Sequence, residues 1–344
     1  MIRVLIVDDS LFIRTILRDL LKDSPEIEVV GTAVNGIDAL EKISGLKPDV
    51  VTLDIEMPRM GGLEVLEALQ KAGTKPKVIV LSTLTSRQAD MTHRALRLGA
   101  DDFMLKPRDV PNVRGIEKEL VQKIKNLVVL PTIVKPTAVS RSEADAVVVI
   151  GSSAGGPPML DTLLSALPPD LPAAVVVTQH MPEGFTASLA ERLSRVSALP
   201  VKETANGDSL RTGTVLVSKA GFHTVISGVA SSNGKNHGRI IHSTAPRLHA
   251  VRPAVDKTFA SAARVFGSRT VSVLLSGMGN DGGEGTLAVK TAGGRTMVCT
   301  EEDCLVYGMA RSALARNCVD KVVPLDGLAR EITRAVGQLE VNHV

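Results

Sequence analysis

The stretch AVVVIGSSAGG, residues 146–156, ends an apolar run in a cluster of glycine, serine and alanine. This is how a buried strand turns into a helix, and the turn suits two chemistries. Gly-rich turns cradle phosphate, and a G-x-S-x-G turn presents a nucleophilic serine, here Ser153. The dinucleotide form G-x-G-x-x-G is absent, because Ser153 stands where its second glycine belongs. The following run, AAVVVTQH (173–180), ends in Gln179 and His180 rather than in an acid, and a third, TVSVLLSG (270–277), leads into MGNDGG with Asp281. An attacking serine needs a base, and the imidazole needs an acid that holds its tautomer. One of each follows three separate strands, which points to acyl transfer with Ser153 as nucleophile, His180 as base and Asp281 as orienting carboxylate. The backbone N–H groups of Met278 and Gly279 are candidate oxyanion donors. Ser152 is left as a helper.

The first third of the chain holds a second constellation. Asp8 and Asp9 end the first strand-like run, Asp54 ends the third, Ser82 follows the fourth, and Lys106 ends the fifth before Pro107. Ligands of open parallel sheets bind beyond the carboxyl ends of the strands. Carboxylates converging there repel one another unless a cation joins them, and oxygen-only ligands suit Mg²⁺. Asp54 is then a nucleophile for an acyl phosphate, with Lys106 neutralising phosphoryl charge and Ser82 offering a hydroxyl.

These residues require sheets to place them. Over 1–125, short aliphatic runs (RVLIVDD, PDVVTLD, PKVIVLS) alternate with amphipathic segments; in LFIRTILRDLLKD, Ile13, Ile16, Leu17 and Leu20 share one helical face. Five such units predict a doubly wound parallel sheet. Residues 126–145, with two prolines and no period, predict a linker, the alternative being a helix end plus an irregular packed connection. From 146 to 344 the alternation resumes, and the short turn-rich runs of 201–245 predict an antiparallel excursion. The expected fold class is α/β: two doubly wound parallel-sheet domains, a five-stranded one and then a Rossmann-like one carrying the small antiparallel excursion.

Composition limits the alternatives. The chain has 344 residues, enough for two domains, with 44% hydrophobic and only 2% aromatic residues, so the cores are aliphatic. A net charge of +3 makes no case for nucleic acid or a membrane surface. Cys299, Cys304 and Cys318 read as reduced thiols of a cytosolic protein. No apolar run reaches the roughly 20 residues of a membrane span, and MIRVLIVDDS reads as a first strand, not a signal peptide. His237, His242 and His249 lack a thiol or carboxylate set at zinc spacing and are expected as solvated loop residues. With no oligomerisation element in view, a monomer is the default expectation.

Residues 1–125 resemble the response-regulator receiver family. The resemblance implies Mg²⁺ held by Asp9 and Asp54, with Asp8 assisting and the Glu56 carbonyl contributing. It implies Asp54 as phosphoacceptor from a histidine kinase, Ser82 as switch hydroxyl (Thr83 is adjacent) and Phe103 as switch aromatic. From 146 onward, IGSSAGG, TQHMP, RPAVD, LLSGMGNDG and CLVYGMARSAL together resemble the chemotaxis protein-glutamate methylesterase (CheB) family. That implies a cytoplasmic enzyme, without a cofactor for its ester chemistry. It would hydrolyse γ-glutamyl methyl esters on chemoreceptors, releasing methanol, and many members also deamidate glutamines. The motifs place nucleophile, base and carboxylate on Ser153, His180 and Asp281. Arg252 is a candidate substrate contact, with a salt bridge to Asp256 four residues on as the alternative. Two departures stand out: Ala154 replaces the family's threonine after the nucleophile, and GMAR carries Ala310 where the family has proline. The alternative function is a receiver fused to a catalytically degenerate domain that only binds receptors.

Overall fold

The structure, a computed structural model, describes residues 1–72, 76–82, 91, 94–95, 98–106, 113–128, 141–230 and 236–341. The chain divides into two compact units, 1–131 and 132–344.

In the first unit, strands β1 (Ile2–Val7), β2 (Ile27–Ala33), β3 (Val50–Asp54), β4 (Lys77–Ser82) and β5 (Asp102–Leu105) form one sheet in the order β2-β1-β3-β4-β5. Every pairing is parallel. Helices α1 (Leu11–Leu21), α2 (Gly36–Leu46), α3 (Gly62–Ala72) and α4 (Val113–Val128) accompany it. The helix α1 starts where Ser10 accepts the Ile13 N–H at 3.4 Å, and it buries Ile13, Leu17, Leu20 and Leu21. Ile16 packs at the margin of that core. Two aliphatic clusters flank the sheet, as helices on both faces require.

The second unit is built on seven strands: β6 (Val147–Ser152), β7 (Ala174–Gln179), β8 (Val201–Glu203), β9 (Val215–Val217), β12 (Thr270–Leu274), β13 (Arg295–Cys299) and β14 (Lys321–Val323). Their order is β14-β13-β12-β6-β7-β9-β8, parallel throughout. Helices α5 (Gly156–Ser165), α6 (Phe185–Val196), α7 (Val255–Phe266), α8 (Gly283–Thr291), α9 (Gly308–Leu314) and α10 (Leu325–Val341) connect or cover them. All residues of β6, β7 and β12 are buried, which is why β6 and β7 open on continuous aliphatic runs, while β12 buries Thr270 and Ser272 between its aliphatic residues. No helix among the described residues is long and apolar enough to cross a membrane.

One sequence expectation changes. The antiparallel excursion does not fill 201–245: β10 (His223–Ala230) and β11 (Asn236–Ser243) form its sheet, with an antiparallel bridge from Ser209 to Arg239 of β11, while β8 and β9 join the main sheet in parallel. Three-residue strands carry too little periodicity to reveal their direction. The stretch 126–145 is also structured at both ends. Residues 126–128 complete α4, and Ala144 is buried with its N–H on the Leu210 carbonyl at 2.9 Å. Residues 129–140 lie outside the described part.

Candidate active site and phosphoacceptor pocket

In the second unit, β6 has β7 on one side and β12 on the other. The chain leaves β6 toward β7 and later returns to build β12 and β13 on the opposite side. A crevice opens at such a reversal, beyond the strands' carboxyl ends. Ser152 is in register with Gln179, so Ser153 and His180 are the next residues off two neighbouring strands, and the His180 N–H donates to the Ser152 carbonyl at 3.0 Å.

The elbow is held from several sides. Gly155, at a φ of 78°, turns the chain into α5, a conformation suited to glycine. The Ser153 N–H donates to the Ser276 carbonyl at 2.9 Å, and Gln179 Nε2 donates to the Ser153 carbonyl at 2.8 Å. Ser152 is fully buried and its hydroxyl donates to Gln179 Oε1 at 2.6 Å, whereas Ser153 is half-buried. Of the two serines, only Ser153 faces the crevice with an uncommitted hydroxyl. The carbonyl of Ala154 accepts the Ser276 hydroxyl at 2.6 Å, so the elbow is tied down without a threonine at 154.

His180 Nε2 lies 2.7 Å from Asp281 Oδ2. Asp281 also accepts the backbone N–H groups of Val255 (2.7 Å) and Asp256 (2.9 Å), the first residues of α7. Burial pushes its carboxyl up, but the His180 hydrogen bond and these N–H groups at a positive helix end hold it below the ordinary aspartate value. Because Nε2 faces the carboxylate, Nδ1 is the ring nitrogen without a hydrogen-bond partner among the described residues. No hydrogen bond joins Ser153 Oγ to His180 among the described residues. Met278 is 75% exposed, and neither its N–H nor that of Gly279 has a partner among the described residues.

Arg252 forms no ion pair with Asp256. Its Nη1 donates to the carbonyls of Thr244 (3.0 Å) and Ala245 (3.3 Å). Asp256 instead meets His249 at 2.8 Å. His249 is an exposed turn residue, as expected, although it pairs with Asp256; the other two differ from expectation, because His237 is buried on β11 and His242 stacks on Phe222 and bonds Thr204. Sequence spacing missed this pair although the two residues are seven apart, because the contact depends on the turn at His249 and Ala250, whose backbone angles are left-handed.

In the first unit, Lys106 Nζ bridges Asp8 (2.9 Å) and Asp54 (2.7 Å), and the Glu56 N–H donates to Asp54 at 3.3 Å. Asp8, Asp9 and Asp54 each present a carboxylate oxygen, all within 4.8 Å of one another. Burial, opposed by Lys106 and reinforced by Asp8, pushes Asp54 up to about 6. Three hard oxygen donors around one ammonium fit a small divalent cation such as Mg²⁺. Phe103 is half-buried, with Lys123 Nζ 5.7 Å from its ring centroid. Ser82 closes β4; its side chain, like Thr83 and Pro107, lies outside the described residues.

Residues 148–332 match the family described as CheB methylesterase, and residues 4–117 match the response regulator receiver domain. The protein-glutamate methylesterase/protein-glutamine glutaminase 1 of Methanospirillum hungatei is 59% identical over 337 residues, 98% of each chain. The Thermotoga maritima protein-glutamate methylesterase/protein-glutamine glutaminase is 41% identical over 94% of this chain and 95% of its own. Among solved structures, the T. maritima CheB methylesterase catalytic domain aligns with a TM-score of 0.52 at 39% identity, covering 55% of this chain and 97% of that one. The chain therefore belongs to the CheB methylesterase family and carries a response regulator receiver domain at its N-terminal end.

Proposed function

We propose that the chain is a phosphorylation-regulated serine esterase that removes methyl groups from glutamate esters of chemoreceptors, and deamidates receptor glutamines, in cytoplasmic chemotaxis signalling. Residues 1–125 are its regulatory domain, 126–145 the connector and 146–344 the catalytic domain. The observation that carries the reading is the His180–Asp281 pair at 2.7 Å beside Ser153 in register.

Ser153 Oγ attacks the ester carbonyl while His180 Nδ1 takes its proton. The tetrahedral oxyanion is met by the N–H groups of Met278 and Gly279. Collapse breaks the carbonyl–oxygen bond, and the His180 proton leaves with methoxide as methanol. Water, deprotonated by the same nitrogen, then attacks the acyl-serine, and the proton returns to Ser153. For a glutamine the leaving group departs as ammonia. Asp281 orients His180 throughout. Arg252 borders the crevice as a substrate contact.

In the regulatory domain, Asp9 and Asp54 would hold Mg²⁺, with Asp8 assisting and the Glu56 carbonyl contributing. When bound, the ion supplies charge neutralisation for phosphoryl transfer. Asp54 accepts the phosphoryl group from a histidine kinase, Lys106 pairs with it, and Ser82 and Phe103 relay the change. The test is methanol release from methylated receptor by wild type, Ser153→Ala and Ser152→Ala. Turnover by Ser153→Ala at the wild-type rate would remove Ser153 as the nucleophile, loss only in Ser152→Ala would move the nucleophile by one residue, and no methanol release by wild type would leave a receptor-binding role only.

A further inference from the structure

The crevice holds a second histidine–carboxylate pair. His249 Nε2 lies 2.8 Å from Asp256 Oδ2 and 3.9 Å from Asp281 Oδ1. The two aspartates cap each other's helices. Asp281, just before α8, accepts the first N–H groups of α7, and Asp256, in the first turn of α7, accepts the N–H groups of Gly282 (2.9 Å) and Gly285 (2.6 Å) at the start of α8. Asp256 Oδ1 thus anchors the turn on which Asp281 sits.

Two buried carboxylates this close repel, and burial together with Asp281 pushes the Asp256 carboxyl above its usual range. A proton on Asp256 is the standing threat to the arrangement. An N–H donor on its other oxygen opposes that proton, and His249 supplies one.

The backbone supports a purpose for this contact. His249 (φ 53°) and Ala250 (φ 62°) are consecutive non-glycine residues in the left-handed region, which persists where the surroundings impose it. Those surroundings are explicit. His223 Nε2 donates to the Pro246 carbonyl at 3.0 Å while its Nδ1 accepts the Ala254 N–H at 3.1 Å, and Arg252 ties the carbonyls of Thr244 and Ala245. The loop is strapped at both ends so that His249 meets Asp256.

We infer that His249 is a positioning residue for hydrolysis: its Nε2–H keeps Asp256 an anion, and Asp256 keeps Asp281 aimed at His180. This rests on the proposed hydrolytic roles of His180 and Asp281. Among the described residues, the charged groups in ion-pair reach of His249 are Asp256 from α7 and Asp281 from the turn before α8, with His180 on the second oxygen of Asp281.

The test uses the full chain with an acyl-phosphate donor and methylated receptor. His249→Ala lowers kcat about 10- to 100-fold with KM within about twofold, and moves the acid limb of kcat up by about one pH unit as Asp256 protonates more readily. His249→Gln, which keeps an N–H donor, recovers most of kcat. The double variant His249→Ala/Asp256→Asn, lacking that titration, shows no upward shift. An unchanged kcat and an unmoved limb in His249→Ala overturn the inference. So does equal impairment of the Ala and Gln variants with the limb unmoved, which is what a damaged loop alone produces. Histidine-selective NMR reads the His180 titration without turnover; the inference requires it to differ between wild type and His249→Ala. Ser153→Ala is assayed alongside. If it still turns over, the hydrolytic assignment fails, while the NMR result continues to judge the coupling.

Discussion

Asp54 and Asp281 occupy matching places in the two units. Asp54 ends, and Asp281 follows, a strand beside the point where a parallel sheet reverses its order, and the two are 3% and 2% exposed. Their carboxyls nevertheless move in opposite directions, Asp54 up to about 6 and Asp281 below its ordinary value. The difference lies in what faces them. Asp281 receives two N–H groups from the start of α7 and one from His180. Asp54 has one long backbone N–H bond, shares its lysine with Asp8, and sits beside two further acids. A carboxylate surrounded by fixed donors stays an anion and serves as a permanent electrostatic prop. One with fewer donors among the described residues is raised by its burial, which suits the proposed role of Asp54 in taking a cation and a phosphoryl group. Burial is common to both; the donors decide the role.

The comparison can be broken most severely at Asp281. Asp281→Asn is expected to lower kcat for methanol release by about 10⁴-fold, since the imidazole loses its tautomer and its counter-charge. A loss below about tenfold would mean that Asp281 is not the orienting acid. Asp54→Ala is expected to abolish the rise in turnover produced by an acyl-phosphate donor, and a response of wild-type size would place the phosphoacceptor elsewhere.

Stability sharpens the contrast, because the two signs are opposite. Asp54 has a folded pKa above its unfolded value of 3.8, so its favourable contribution is present below that value and is lost as pH rises through about 6. In chelator, Asp54→Asn should therefore stabilise the first unit above pH 6, by about 1–3 kcal/mol, and change little near pH 3. Asp281, depressed when folded, contributes above its unfolded value and loses that contribution as pH falls through its lower folded value. Asp281→Asn should destabilise the second unit at pH 7 and do so less at pH 3. Amide exchange in urea, read separately on peptides from β1–β5 and from β6, β7 and β12, distinguishes the two responses.

The smallest effect is expected at Ser276, whose hydroxyl joins the Ala154 carbonyl to the Val306 N–H. Ser276→Ala should cost about 1–2 kcal/mol in the second unit and lower kcat only modestly. A kcat loss approaching that of Asp281→Asn would show that the elbow, not the acid, limits the chemistry.

Much of this was legible in the chain itself. Continuous aliphatic runs mark strands covered on both faces, and the residues that end them, Asp54, Ser153 and His180, are polar because strand ends leave the core. The choice between Ser152 and Ser153 was legible only as a motif; the buried Ser152–Gln179 bond gives it a physical reason. The parallel direction of β8 and β9, the packing of Ala144 and the pairing of Asp256 with His249 were not legible. The first two depend on segments distant along the chain or on strands too short to carry a period, and the third on a left-handed turn at His249 and Ala250 that no motif announces.

Residue order alone determined the α/β alternation, the two constellations and the types of group each holds, because local periodicity and strand-end chemistry are written in neighbouring residues. Tertiary structure alone decided which serine hydroxyl is uncommitted, which imidazole nitrogen meets Asp281, and why the Asp281 carboxyl is held below its ordinary value while that of Asp54 is pushed up to about 6. Those outcomes depend on hydrogen-bond donors delivered from other strands and helix starts, and a sequence does not record the directions of donors brought from elsewhere in the fold.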